Sequence, residues 1–318
     1  MRLSVGRFKC FFLFATLLGV LALVTRPAGG QDVAKQGPER CFLWKVSSKT
    51  TTVYLLGSMH VAKADLFPLP KEIEDAFAKS AKLVVEVDTE AADKAKMQQL
   101  VLQKAKYADG ESLSKGLSKK TMESLEKYCA KKGIPVANLE PFRPWFVSVV
   151  VSVQEITALG FGDNGIDKHF LKKAKAEKKP IVDLETIDAQ MNLFTDLTPD
   201  FQDKLLAKTL SEAGEIKSQM EKMTAAWKAG DAKAMNNLMV GDTLKQHPEM
   251  KGLMAKIFDE RNVKMVEKID EMLKGTDSCF VVVGAGHLVG EKGIVKLLEE
   301  KKYQVEQVMR AAATQKAP

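Results

Sequence analysis

Two of the chain's four histidines stand in the same local setting. Gly57-Ser58-Met59-His60 follows the apolar run 53–56, and Gly284-Ala285-Gly286-His287 follows the run 279–283. Each reads as a buried strand, a glycine turn and then an imidazole. Imidazole binds transition metals and moves protons near neutral pH, so two such groups at matching strand ends point to one shared site. Carboxylates close other apolar runs: Glu86 after 83–85, Glu185 after 180–184 and Glu140 after 136–139. Two imidazoles with one or two carboxylates form a donor set for Zn, Mn or Co that leaves a position for water. A metal so held activates water and polarises a carbonyl. Glu86 is the foremost carboxylate, because burying a carboxylate costs several kcal/mol unless it is paired or bound to metal. One Gly-x-x-His alone is a weak signal, since a histidine can simply cap a glycine turn; the repetition in matching strand contexts carries the argument.

The remaining polar residues have plainer readings. His169 lies among lysines on a helix and is expected at the surface, and His247 before Pro248 is expected in a turn. Glu140 is expected to set a turn before Pro141, and Asp88 to cap a following helix. Arg143 is expected to bind a carboxylate or phosphate, or to stack on Trp145. Arg261 lies in a long helical stretch, where it forms salt bridges or, facing the sheet, holds a buried acid. Gly-x-Ser-x-Gly, a Walker loop and His-Glu-x-x-His are all absent from the sequence. Nothing in the spacing sets a histidine beside Cys41 or Cys279 to make a thiol nucleophile.

The elements that must position these groups follow from periodicity. Runs 41–46 and 51–56 form a hairpin across 47–50. Strands are expected at 83–87, 135–139, 180–184, up to 283, and 304–308. Helices are expected after Pro68-Leu69-Pro70, at 91–106, at 119–131 between an N-cap at Ser118 and Gly133, at 144–159 beginning on Pro144, at 167–177 and at 291–301. Residues 198–274 show no strand pattern and read as consecutive helices. The fold class is therefore α/β: a mixed central sheet flanked by helices, with an all-helical insertion at about 198–274. In such sheets ligands lie beyond the carboxyl ends of parallel strands.

Residues 1–30 read as a secretory signal: Arg2, Arg7 and Lys9, then an apolar stretch 10–24, then Ala28-Gly29-Gly30. That stretch is short for a bilayer span, which takes ~20 apolar residues, so the membrane is met only through this segment if it stays uncleaved. The α/β domain is then 31–318, and a secreted or periplasmic location is expected. Setting the leader's four basic residues aside from 48 leaves 44 against 41 acidic groups, a net +3 instead of +7. No basic stripe interleaved with aromatics occurs, so no nucleic-acid partner is expected. Cys41, Cys129 and Cys279 remain in the mature part; Cys41 and Cys279 pair if their strands are neighbours, and otherwise all three are buried thiols.

Leu55-Leu56-Gly57-Ser58-Met59-His60-Val61, Phe67-Pro68-Leu69-Pro70 and Val84-Val85-Glu86-Val87-Asp88 resemble the opening of the TraB/GumN family, which includes the Tiki proteins. Gly165-Ile166-Asp167, Asp183-Leu184-Glu185-Thr186 and Glu260-Arg261-Asn262 resemble its middle signatures, and 283–290 its close; the likeness spans about 41–309. Ser58-Met59 stands where the family often has Thr and an aliphatic residue. The resemblance implies a metal-dependent hydrolase of the metalloprotease type, with Mn or Co, acting on a peptide or protein substrate. Residue by residue it maps the metal site onto His60, Glu86 and His287. Glu185 matches a further family position, and the general base is Glu86 or Glu185. The alternatives are a non-catalytic peptide- or metal-binding protein and an esterase acting on a small molecule, as in the related erythromycin esterase and ChaN-like group.

Overall fold

The computed structural model describes residues 40–90, 94–162 and 164–311. The leader reading therefore lies outside the described residues, as does the start of the expected helix at 91–93. Strand β1 (Arg40–Ser47) turns back antiparallel into β2 (Thr52–Ser58), with Leu43 opposite Leu56 and Val46 opposite Val53. Strands β3 (Lys82–Val85), β4 (Ile181–Asp183), β5 (Cys279–Gly284) and β6 (Gln304–Met309) complete one six-stranded sheet in the order β4-β3-β5-β2-β1-β6. β2, β5, β3 and β4 pair in parallel, and β1 is antiparallel to both β2 and β6. β5 sits at the centre and is buried at every position, as an unbroken apolar strand covered on both faces must be.

The register decides what meets at the rim. Ser58 lies opposite Gly284, and Val85 opposite Val282. β2 and β5 thus end level and β3 two residues short of them, so the residues just past them gather on one edge of the sheet.

Helices cover both faces: α1 (Lys71–Lys79), α2 (Lys94–Ala105), α3 (Lys119–Lys132), α4 (Pro144–Ala158), α5 (Ile166–Ala176), α6 (Ile187–Thr195), α7 (Pro199–Glu212), α8 (Ile216–Lys228), α9 (Glu260–Lys274) and α10 (Ile294–Glu300). Ser118 Oγ accepts from Thr121 N–H, and Gly133 ends α3 in the left-handed conformation, as the capping pattern requires. α4 is buried at most of its positions, which its all-round apolar sequence demands. Phe280 of β5 meets Phe77 of α1 and Phe170 of α5, with ring centroids 5.6 and 4.8 Å apart.

Past residue 198 the described chain is helical until β5. Between α8 and α9 it passes through two π-turns, Asn237–Gly241 and Ala255–Asp259. In the second, Glu260 N–H bonds back to Ala255 O, resetting the helical face just where Arg261 begins α9. Such one-turn π insertions concentrate at functional sites. Trp227 of α8 is buried and donates from Nε1 to Gly57 O at 2.6 Å, tying the helical part to the end of β2. Among the described residues no helix is long and apolar enough to cross a membrane.

Two expectations change, and the open choice over the cysteines is decided. Residues 136–138 form a 3-10 turn rather than a strand: Asn138 N–H bonds to Pro135 O and Leu139 N–H to Val136 O, so the backbone is satisfied locally. Cys41 and Cys279 do not pair, because β2 lies between their strands; all three described cysteines are buried thiols, their pKa values raised mainly by burial. Arg143 faces the Tyr107 ring at 5.4 Å and donates to Lys106 O at 3.3 Å, rather than stacking on Trp145.

Replacing Trp227 with Ala removes a buried indole and its hydrogen bond to Gly57. It is expected to lower unfolding stability by about 3–5 kcal/mol, to be read as a shift of the urea midpoint at unchanged slope.

Candidate functional site

His60 stands two residues past β2, Glu86 directly past β3 and His287 three residues past Gly284, and the shared rim brings them together. Glu86 Oε1 lies 3.9 Å from His60 Nε2 and 3.9 Å from His287 Nε2. Gly284 leaves the space at the centre open. A Cβ on it would come within 3.2 Å of His60 Nε2, 3.3 Å of Glu86 Oε1 and 3.5 Å of His287 Cδ2.

The Nδ1 side of each ring has its own partner. Asn262 Nδ2 donates to Lys292 O at 2.8 Å, which turns Asn262 Oδ1 toward His287 Nδ1 at 2.6 Å. An amide oxygen only accepts, so His287 carries its proton on Nδ1 and presents a bare Nε2 to the centre. His60 Nδ1 lies 3.2 Å from Asp167 Oδ1, an ion-pair contact and not a well-aligned hydrogen bond. Asp167 is held by Ser58, whose Oγ donates to Oδ1 at 2.7 Å and accepts from Asp167 N–H at 3.1 Å. Gly165 permits this approach, since a Cβ there would collide with His60 O. The carboxylate draws the His60 proton to Nδ1 and leaves its Nε2 facing Glu86 as well.

Glu86 is buried and its charge is compensated from the far side. Arg261 Nη2 donates to Glu86 Oε2 at 2.6 Å and to Glu185 Oε2 at 2.6 Å, while Nε donates to Glu185 Oε1 at 2.8 Å and Nη1 to Ile257 O at 2.9 Å. Gln190 Nε2 bridges the same two carboxylates at 3.1 Å each. Glu185 reaches Glu86 because the β3–β4 ladder runs on past the strands, with Glu185 N–H donating to Glu86 O at 2.9 Å. Glu86 Oε1 accepts only Gly284 N–H, at 2.7 Å, among these bonds.

Charge states follow. Burial pushes the Glu86 carboxyl up, but Arg261, the two imidazoles and the Gly284 N–H outweigh it and hold it at about 2. Burial and the Arg261 charge bring His287 down to about 3, so near neutral pH its Nε2 bears no proton. Burial opposes the His60 cation too, yet Asp167 and Glu86 beside it move its pKa up. Among the described residues no group of three or more His, Cys, Asp or Glu side chains is placed, as it stands, to hold a metal ion. The 3.9 Å separations exceed by about half an ångström the spacing that bonds of about 2.0–2.2 Å around one ion impose. The donor types nonetheless fit a cation: the bare Nε2 of His287 aimed at the buried Glu86 oxygen repels it unless positive charge lies nearby, which a proton on His60 or a bound ion would supply.

Of the residues singled out from sequence, His60, Glu86 and His287 converge on the open centre. Glu185 stands behind Arg261 with both oxygens engaged, and Arg261 does hold a buried acid. Glu140 is remote from the rim, accepting from Ser114 N–H at 3.2 Å, because its segment is a turn and not a strand. Asp88 accepts Glu90 N–H at 2.9 Å. His169 contacts Glu74 and His247 contacts Glu249, away from the rim. Asp167, Asn262 and Gln190 were not singled out individually. The first two sit inside Gly165-Ile166-Asp167 and Glu260-Arg261-Asn262; Gln190 has no local signal.

The family model of the TraB/PrgY/gumN family matches residues 42–307. The uncharacterized protein YbaP of Escherichia coli (strain K12) is 26% identical over 247 residues, covering 77% of this chain and 87% of that protein. An uncharacterized protein of Treponema pallidum (strain Nichols) is 22% identical over 306 residues, covering 93% of this chain and 90% of its own. No solved structure matches the chain.

Arg261→Leu leaves two buried carboxylates without their cation and is expected to cost about 3–5 kcal/mol at neutral pH. In the parent, the depressed Glu86 pKa contributes stability that is present above the usual 4.5 and is lost as pH falls through about 2. In the variant the carboxylates take up protons more readily, so the stability gap narrows as pH falls from 7 toward 3. Urea titrations of both proteins across that range measure it.

Proposed function

The chain belongs to the TraB/PrgY/gumN family, and from that premise we propose that it is a metal-dependent hydrolase, most specifically a peptidase, acting outside the cytoplasm. The observation that carries this reading is the pair of Nε2 atoms aimed at Glu86 Oε1, each with its Nδ1 turned to another partner. His60, His287 and Glu86 would hold a divalent ion, Mn, Co or Zn. When bound, such an ion supplies Lewis acidity, polarising a carbonyl and lowering the pKa of water.

The chain's own residues supply the rest. Asn262 keeps the His287 proton on Nδ1, so that Nε2 stays available, while Asp167 holds the His60 ring from its Nδ1 side and His60 Nε2 becomes a ligand on giving up its proton. Arg261 keeps Glu86 ionised, and Glu86 Oε1, with lone-pair capacity beyond the Gly284 bond, is the proton acceptor nearest the open centre. Glu185 completes the charge balance around Arg261, and with both oxygens engaged there it leaves Glu86 as the base. His60 is the most exposed of the three donors, with 14% of its side chain accessible against 3% for His287, so substrate enters from the His60 side. The leader-like residues 1–30 support a secreted or periplasmic site of action.

Protein purified without chelator is expected to carry a stoichiometric transition metal by elemental analysis, and a His60→Ala, His287→Ala double variant to carry none. Equal metal in both would defeat the proposal. Glu86→Gln keeps the shape of the site and removes its charge; peptide turnover with added Mn or Co is expected to fall by about 10²–10⁴. Peptide and ester probes run in parallel distinguish a peptidase from an esterase.

A further inference from the structure

Beside the His60 loop lies a cleft of about 250 Å³. Its floor is apolar: Met59 and Ala62, which flank His60 in the chain, with Leu66 and Phe161. These four are each more than nine-tenths buried, so the floor is part of the packed core. The opposite wall is α8, through Thr224 and Ala225.

Both walls are fixed to the same backbone. Ile166 N–H donates to Met59 O at 3.0 Å and Gly162 N–H to Ala62 O at 3.1 Å, which pins the loop carrying His60. Trp227, two residues past Ala225, anchors α8 on Gly57 O. The cleft is therefore preformed, and its floor is continuous with the loop that presents His60.

Size and charge limit the occupant. Sites that engulf a whole drug-sized ligand span roughly 300–1,000 Å³; this one is smaller and holds an appendage of a larger molecule. Lys63 and Lys228 face Asp65 and Glu221 around it, so the rim has no net sign and does not select a charged group. Lys63 Nζ lies 4.9 Å from the Phe161 ring centroid, its stem continuing the apolar lining.

Resting on the hydrolase reading, we propose that this cleft is the specificity pocket of the site: it takes one large apolar side chain, of the Leu or Phe type, from a peptide residue flanking the bond presented at His60. Burying such a side chain favours it over alanine by roughly 10- to 100-fold.

The test uses a soluble, end-blocked hexapeptide host carrying Ala, Leu, Phe or Asp at one position, scanned through the host. Binding to the protein in EDTA is measured by calorimetry, and hydrolysis separately with Mn or Co. At one position the Leu and Phe peptides are expected to bind about 10- to 100-fold more tightly than Ala, and Asp no better than Ala. Ala225→Trp, on the exposed face of α8, fills the cleft and is expected to reduce Leu and Phe to the Ala level while the unfolding midpoint stays put. Equal binding of all four peptides by the parent overturns the pocket, as does a Leu and Phe advantage that survives Ala225→Trp. Apolar preference in binding with no turnover of any peptide upholds the pocket and overturns the hydrolase reading. Turnover without apolar preference does the reverse.

Discussion

The buried contact between Glu86 and Arg261, 2.6 Å long, is the constraint on which the rim depends. A lone carboxylate at the mouth of an apolar sheet would take up a proton rather than remain charged. Arg261 prevents this, and its own burial is compensated by Glu185 and the Ile257 carbonyl. Removing either partner leaves an uncompensated buried charge, which is far costlier than the pair itself. The contact also joins the two halves of the architecture. Glu86 and Glu185 come from adjacent parallel strands, whereas Arg261 opens a helix of the all-helical part.

The two imidazoles are treated asymmetrically. His287 is enclosed and feels the Arg261 charge, both of which keep it neutral, while the Asn262 amide oxygen fixes its proton on Nδ1. His60 is more open, faces Asp167 and is drawn toward the charged form. The pair thus has one fixed neutral donor and one whose proton is more easily held, both directed at the same carboxylate oxygen. Helices set these differences: Asp167 begins α5 and Asn262 begins α9, one holding each ring from behind. The strands bring the functional atoms to the rim, and the helices decide their protonation.

The α8 helix links the site to its surroundings. Its buried Trp227 bonds to the carbonyl of Gly57, the glycine of the first Gly-x-x-His, while its exposed face one turn earlier walls the cleft beside Met59 and Ala62. A shift of this helix would therefore change the cleft and the β2 end together. The π-turn ahead of α9 has a comparable role, since the chain must change helical phase there for Arg261 to reach the carboxylates while Asn262 reaches His287.

Much of this was legible in the letters. The strands, the capped helix after Ser118, the helix that begins on Pro144 and the helical character past residue 198 follow from periodicity, proline and glycine, which act within a few residues. The repeated Gly-x-x-His and the acid after an apolar run pointed to His60, Glu86 and His287, because a charge beside a core strand needs a reason. Residues 136–138 misled, since a short apolar run between prolines satisfies its backbone as readily in a turn as in a ladder. What only the tertiary structure decided were relations between distant segments: β2 lying between Cys41 and Cys279, Glu185 standing behind Arg261 and not at the open centre, and Asp167, Asn262 and Gln190 arriving as partners. Local sequence encodes which conformation a segment prefers and which face it buries. Which side chains then share a buried charge depends on strand order and helix phase, and these emerge only when all the segments pack at once.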